Sequence, residues 1–175
     1  MNSKKVIAII PARSGSKSIK DKNIKKIGNK HLIGLSIETC LKSKHISKIF
    51  VSTDSKKYAA IAKKYGPVEI IFRPKKISKD FSTDFEMIKH AIENINDEYE
   101  FIAHIRPTTP LRKIEDVDLA IKTFIKSKYH SLRSVHEMPE TSYKTFEAHM
   151  GRLKTLKNLK YSIDSLNSPR QKFKK

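Results

Sequence analysis

Three features of the sequence predict an α/β protein with a Rossmann-like, mostly parallel sheet flanked by helices. Short apolar runs are separated by segments of helical periodicity, the runs are almost continuously apolar, and a basic loop follows the first run directly. Strands covered by helices on both faces lose the polar–apolar alternation of a half-solvated strand, as these have. The first run, Val6–Ile10, ends at Pro11 and opens into ARSGSKSIKDKN, where Arg13, Lys17, Lys20 and Lys22 crowd a stretch of small residues. Strand, turn and cationic loop in that order present backbone N–H groups and positive charge to a phosphate at the carboxyl edge of such a sheet.

The remaining elements follow in alternation. Leu32–Lys42 carries Ile33, Ile37, Cys40 and Leu41 at the spacing of a buried helix face. Lys48–Ser52 (KIFVS) reads as the second strand, and Ser55–Tyr65 as a helix stopped by Gly66 and Pro67. Glu69–Phe72 is the third strand. A helix is predicted over Thr83–Glu93, with Thr83 and Glu86 at capping-box spacing. Phe101–Ile105 is the fourth strand, followed by RPTTPLR, a helix over Ile114–Lys126 and a fifth strand at Ser131–Val135. Beyond Val135 the rhythm fails: weak strands around Lys144–Phe146 and Leu153–Leu156 precede a basic, unpatterned end, NSPRQKFKK. The whole reads as one domain over residues 1–175 that looks unfinished at its end.

Charge narrows the function without deciding it. A formal charge of +19 on 175 residues implies an anionic partner: nucleic acid, an acidic membrane or a phosphorylated small molecule. Lysines are scattered through every segment and arginines are few, so a lysine-rich compositional habit accounts for part of the excess. A basic nucleic-acid-binding module is the competing class. It finds no zinc spacing, helix-turn-helix pattern or RNP-type aromatics here, and Tyr and Phe fall mainly within apolar runs. The single cysteine, Cys40, excludes an internal disulfide and sits on a helix stripe as core. No apolar run approaches a membrane span, and Pro11 and Arg13 end the first run where a signal peptide would continue. A reduced cytoplasmic setting with no membrane partner follows. The seven histidines show no metal spacing and read as structural, His104 being the one nearest a candidate loop.

Four loops carry the candidate chemistry. The first is neither GxxxxGK[ST] nor GxGxxG, since Gly15 stands alone; it offers Arg13, Lys17 and Lys22 converging on a strand terminus. The second, VSTDS, puts Asp54 either as the cap of the next helix or facing a ligand. The third, FRPKKISKDFSTD, places Arg73 within reach of a phosphate or base edge and offers the hydroxyls of Ser82 and Thr83. The fourth, HIRPTTPLR, stiffens two threonines between two prolines and two arginines, whose forks suit carboxylates and phosphates. Four such loops after four successive strands fall on the edge where open α/β sheets bind ligands.

The motifs IIPARSGSK…KN, VSTDS, RP…D…ST, RPTTPLR and SVHEMPETSYK, colinear from about Val6 to Arg170, resemble the acylneuraminate cytidylyltransferase family, the CMP-sialic acid synthetases and their relatives. The resemblance implies a nucleotide-diphospho-sugar transferase fold in a cytoplasmic, usually dimeric, Mg²⁺-dependent enzyme. That enzyme would join CTP to a nine-carbon keto-sugar acid and release pyrophosphate. It assigns Arg13, Ser16, Lys17, Lys22 and Asn23 to the nucleotide, with Arg13, Lys17 and Lys22 stabilising charge during the reaction. Ala12, Ser14, Gly15, Asp54, Arg73 and Thr83 complete the implied nucleotide site. Arg106 stands where sialic acid synthetases often have Gln, which suggests a related acid. Thr108 shares that loop, and Lys144 and Arg170 match residues holding the sugar's carboxylate. A deoxy-octulosonic acid or a hexose phosphate stays open as an alternative acceptor.

The sequence departs from the family pattern in two places. Ser18 and Lys20 stand where relatives read Gly and Pro, and Ser18 would strain the turn if that position needs positive φ. Relatives also continue past R-Q through an N-G-A-I-Y-like segment, a dimerisation excursion and late metal-binding aspartates. This chain is therefore expected to lack its metal carboxylates and to have weak activity or none.

Overall fold

Every residue of Val6–Ile10 is apolar, and all five are buried, so this segment has no solvent-facing side. In the computed structural model, which describes residues 5–135, 146–149 and 152–155, it forms strand β1 (Val6–Pro11) at the centre of a sheet. Neighbouring residues of a strand point to opposite faces, and β1 divides accordingly. Val6, Ala8 and Ile10 join one core with Ile33, Ile37 and Cys40 of α1 (Leu32–Lys42), Tyr58 and Ala62 of α2 (Lys56–Lys63), and Val117 and Ile121 of α4 (Ile114–Lys126). Ile7 and Ile9 join the other with Met87 and Ala91 of α3 (Asp84–Glu93). Each fully buried isoleucine contributes about 1.5–3 kcal/mol, so the strand that carries the first loop is firmly anchored.

Three parallel neighbours complete the sheet. β4 (Ile46–Thr53) pairs with β1 on one side and with β5 (Glu69–Phe72) on its far edge, while β6 (Phe101–His104) pairs with β1 on the other side. The order β5-β4-β1-β6 reverses direction between β1 and β6. Loops leaving those two strands therefore diverge and open a crevice at the carboxyl edge. A small antiparallel hairpin, β2 (Lys26–Ile27) and β3 (Lys30–His31), intervenes before α1, turning at Gly28 with φ 58°. Sequence patterning did not anticipate this hairpin.

Helix starts follow local chemistry. Ser55 caps α2, its hydroxyl accepting from Tyr58 N at 3.4 Å. Thr83 and Glu86 form the expected capping box on α3. The expected fifth strand is absent: residues 131–135 are irregular and exposed. With only Leu132 and Val135 apolar, and Arg133 and Ser134 between them, the segment cannot support burial on both faces. The chain divides into two compact units, Met1–Leu132 and Arg133–Lys175. The second contains an antiparallel hairpin, β7 (Phe146–His149) and β8 (Arg152–Thr155), close to the two weak strands expected there.

Cys40 is core, as its stripe predicts, and burial pushes its thiol up to about 12. At Gly34, also in α1, an added Cβ would overlap the ring of Tyr65. That tyrosine's hydroxyl accepts from His31 N at 2.8 Å. Overpacking costs about 1–3 kcal/mol, and the helix propensity of Ala returns at most about 1 kcal/mol. Gly34→Ala should therefore destabilise the fold by about 1–2 kcal/mol, read as a lower urea midpoint at unchanged m-value.

Candidate functional site

Because the strands are parallel, the loops after β1, β4, β5 and β6 all leave at one edge. The first of them is set by the second. Asp54, immediately after β4, accepts from Ser14 N at 2.7 Å and from Ser14 Oγ at 2.8 Å. Of the two roles open to Asp54, capping falls to Ser55, which leaves its carboxylate for the loop. Ala12 N donates to Ser52 O at 2.8 Å, extending the pairing of β1 and β4 by one residue. Past Gly15 the chain turns tightly, with Ser16 N donating to Ser14 O at 2.5 Å.

The far end of the loop is held by two polar side chains. Asn23, buried within a short 3₁₀ turn that also contains Lys22, donates from Nδ2 to Arg13 O at 2.9 Å. Asp21 adopts φ 55°, the only non-glycine residue at positive φ among the described residues. Short polar side chains tolerate that region best. Its Oδ1 accepts from Tyr58 Oη at 2.9 Å, which holds the Asp21 carboxyl below its ordinary range while burial raises the Tyr58 phenol. Ser18 is not left-handed, so the strain expected from a non-glycine residue there is absent.

Two cations of the loop, Arg13 and Lys17, converge on one carboxylate. Arg13 Nη1 lies 3.1 Å from Asp80 Oδ1 and also donates to Gly15 O at 3.0 Å. Lys17 Nζ lies 2.6 Å from Asp80 Oδ2. The hydrogen bond from Lys17, joined by that from Arg13, holds the Asp80 carboxyl below its ordinary value against the opposing effect of burial.

Arg73 behaves differently from its neighbours. Its residue is 7% exposed, and Nε and Nη2 donate to Ser52 Oγ at 3.2 Å and Ser52 O at 3.0 Å. Burial pulls its guanidinium down to about 10, with nearby Asp54 opposing and Arg13 adding to the shift. It remains charged at neutral pH and ties the ends of β4 and β5 beneath the loops. Those two donors are committed to the sheet rather than turned to a phosphate or base edge.

Thr83 likewise spends its hydroxyl locally, accepting from Glu86 N at 3.2 Å and donating to Glu86 Oε2 at 3.1 Å. The next residue, Asp84, pairs with Arg106 of the loop after β6. In that loop Pro107 is fully buried, Thr108 is exposed, and Arg112 Nη2 donates to Arg106 O at 3.4 Å. Lys144 and Arg170 lie outside the described residues.

Arg13, Ser14, Asn23, Asp54 and Arg73 are thus gathered at one rim with Lys17. Sequence reasoning quoted Asp80 within the RP…D…ST motif but gave it no role, and it passed over Asp84, Asp21 and Ser52. Asp80 and Asp84 sit in the FRPKKISKDFSTD segment, where an acid among lysines reads as a solvated residue.

Residues 7–166 match the family described as cytidylyltransferase. The N-acylneuraminate cytidylyltransferase of Escherichia coli O18:K1:H7 is 41% identical over 132 residues, 75% of this chain and 31% of that protein. The pseudaminic acid cytidylyltransferase of Campylobacter jejuni serotype O:2 is 33% identical over 127 residues, 71% of this chain and 55% of that protein. The chain spans about a third of the first relative and about half of the second. Among solved structures, a CMP:2-keto-3-deoxy-manno-octonic acid synthetase complexed with CTP superposes with a TM-score of 0.61 at 18% identity, covering 69% of this chain and 47% of that one. That superposition agrees with the parallel sheet and flanking helices expected of the fold.

Two outcomes follow from this geometry. Asp54→Ala removes both acceptors of Ser14, a cost of about 1.5–3 kcal/mol for hydrogen bonds to a charged group; it should lower the melting temperature and speed exchange of the Ser14 amide. Asp80 is held below its ordinary value of 3.8, so its contacts are complete above that value. They should be lost as pH falls through the lowered one, which a carboxyl ¹³C titration of Asp80 will show.

Proposed function

The chain belongs to the cytidylyltransferase family, and on that premise we propose that it transfers CMP from CTP to a nonulosonic acid of the sialic acid type, releasing pyrophosphate. The observation that carries the proposal is the convergence of Arg13 and Lys17, both in the loop after β1 that borders the crevice, on a single carboxylate, Asp80 of the loop after β5. Two cations that already share one anionic group are spaced to share a phosphate.

In the proposed reaction the acceptor's anomeric hydroxyl oxygen attacks the α-phosphorus of CTP in line. An O–P bond forms, the bond to the β-phosphate oxygen breaks, pyrophosphate leaves and the hydroxyl proton passes to solvent. Phosphoryl chemistry of this kind asks the protein chiefly for positioning and charge neutralisation. Arg13, Lys17 and Lys22 would supply the charge, and the loop backbone, held at the Ser14 N–H by Asp54 and at the Arg13 carbonyl by Asn23, would supply position. Arg73 supports the reading as a buried, charged buttress under the site. Arg106 and Thr108 are the proposed acceptor contacts, together with Lys144 and Arg170.

A divalent cation, Mg²⁺ in the family's usual chemistry, would neutralise triphosphate charge. Among the described residues no three His, Cys, Asp or Glu side chains converge to hold one. Asp54 and Asp80 are both already engaged, by Ser14 and by Arg13 with Lys17. The described residues therefore do not fit a resident metal. The setting proposed is cytoplasmic, where CTP is available, and the assembly proposed is the family's homodimer. Among the described residues no helix is long and apolar enough to cross a membrane.

Within the acceptor class, Arg106 in the position where sialic acid synthetases often have Gln, together with the likeness to a pseudaminic acid cytidylyltransferase, supports a second reading in which the acid is pseudaminic-like rather than sialic acid itself. A nucleic-acid-binding role rests on the +19 charge alone, and the loop geometry is accounted for without it.

The experiment is CTP-dependent pyrophosphate release with a panel of nonulosonic acids. Weak turnover at most is expected, with at least one of them, and Lys17→Ala should lower kcat/KM by about 10²-fold, the scale of losing one charge-stabilising donor. Turnover unaffected by that substitution would remove Lys17 from the site.

A further inference from the structure

The loop that is to grip phosphates is not idle without them. Asp80 occupies both of its forward cations, one carboxylate oxygen to each, at 3.1 Å for Arg13 and 2.6 Å for Lys17. Arg13 Nη1 also reaches the carbonyl of Ser78 at 3.5 Å, so the backbone around Asp80 shares in the contact. Four residues further on, Asp84 holds Arg106 in the same manner. The segment from Ser78 to Asp84 is thus laid across two of the cationic loops by its own acids.

We propose that Asp80 is a built-in counter-anion of the first loop, exchanged for the ligand's phosphates on binding, and that it sets which anions the site accepts. The proposal rests on the reading that this loop holds the triphosphate. The side chain of Lys17 is 80% exposed while that of Asp80 is 21% exposed. The pair is solvated on the lysine side, and such pairs are held weakly. A polyphosphate carries several charges and more oxygens than one carboxylate, so it displaces Asp80 readily. A singly or doubly charged anion gains little over the carboxylate already in place and is disfavoured. Asp80 is in this sense a specificity-determining residue: it touches the cations, not the reacting atoms, and it raises the charge an incoming ligand must carry. The exchange also keeps Arg13 and Lys17 close together before a ligand arrives, which limits the side-chain ordering left to binding.

The test is calorimetric titration of the full chain with inorganic tripolyphosphate and with orthophosphate at fixed ionic strength, comparing wild type, Asp80→Asn and Lys17→Ala. Asp80→Asn should bind tripolyphosphate about five- to tenfold tighter, a coupling of ordinary size for competing sites, and should gain measurable orthophosphate binding. Lys17→Ala should weaken tripolyphosphate. If wild type binds tripolyphosphate and Lys17→Ala weakens it, but a folded Asp80→Asn binds equally or more weakly, the exchange is overturned and the loop reading stands. If neither wild type nor Asp80→Asn binds tripolyphosphate, the loop reading falls and the exchange with it. A wild-type measurement guards against a misfolded variant. The Asp80 carboxyl ¹³C resonance should move as tripolyphosphate is added, and an unmoved resonance at saturation overturns the exchange.

Discussion

Because β1 is buried on both faces and paired on both edges, its end is fixed in place, and the chain leaves it there at the carboxyl edge. Its neighbours run parallel to it, so their exits lie on the same rim, and every crossover must return along a helix packed on one face. The reversal of strand order between β1 and β6 then separates the first loop from the fourth and leaves space between them. Site position is a consequence of that one strand's burial. The loops supply chemistry, but the sheet decides where it is delivered.

Net charge explains little of this. A surface with +19 attracts anions from any direction, and at physiological salt such attraction fades over about 8 Å. Recognition needs cations held at fixed spacing, and what fixes them here is acid. Asp80 spaces Arg13 and Lys17, Asp84 restrains Arg106, and Asp54 sets the backbone of Ser14. The chain has 18 acidic residues against 37 basic ones, yet three of those acids stand at this rim. In a protein so basic, the scarce carboxylates are the more informative residues.

Local signals in the sequence were legible and non-local ones were not. Val6–Ile10, the Thr83–Glu86 capping box and the helix stripe of Ile33, Ile37 and Cys40 depend on neighbours in sequence, and each appears where the pattern puts it. The hairpin at residues 26–31 escaped notice because strands of two residues, half of them lysine, carry no hydrophobic period; its Gly28–Asn29 turn was the only cue. Ser131–Val135 looked like a strand by position in the alternation, whereas its composition argued against burial. Position after the third strand and the family resemblance both point Arg73 at a ligand, and neither carries a signal of its burial. Its burial depends on Ser52, 21 residues away, which no pattern reveals. For the same reason Asp54 could be narrowed to two roles but not assigned one until Ser55 was seen to take the cap.

What emerges is a division between fixed and exchangeable parts of one loop. The backbone is fixed: Ser14 by two hydrogen bonds to Asp54, the carbonyl of Arg13 by Asn23, and Ala12 by Ser52. Ordering a residue's backbone costs about 1–2 kcal/mol, and here that ordering is completed during folding rather than on binding. The forward cations are restrained only by a partly solvated carboxylate, which a stronger anion can replace. Arg73 could not serve in that way. Held by Ser52 and nearly without solvent, it would give up two buried hydrogen bonds if it moved. Two arginines of the same rim therefore do opposite work: one secures the platform by never leaving it, and the other is useful because it can change partners.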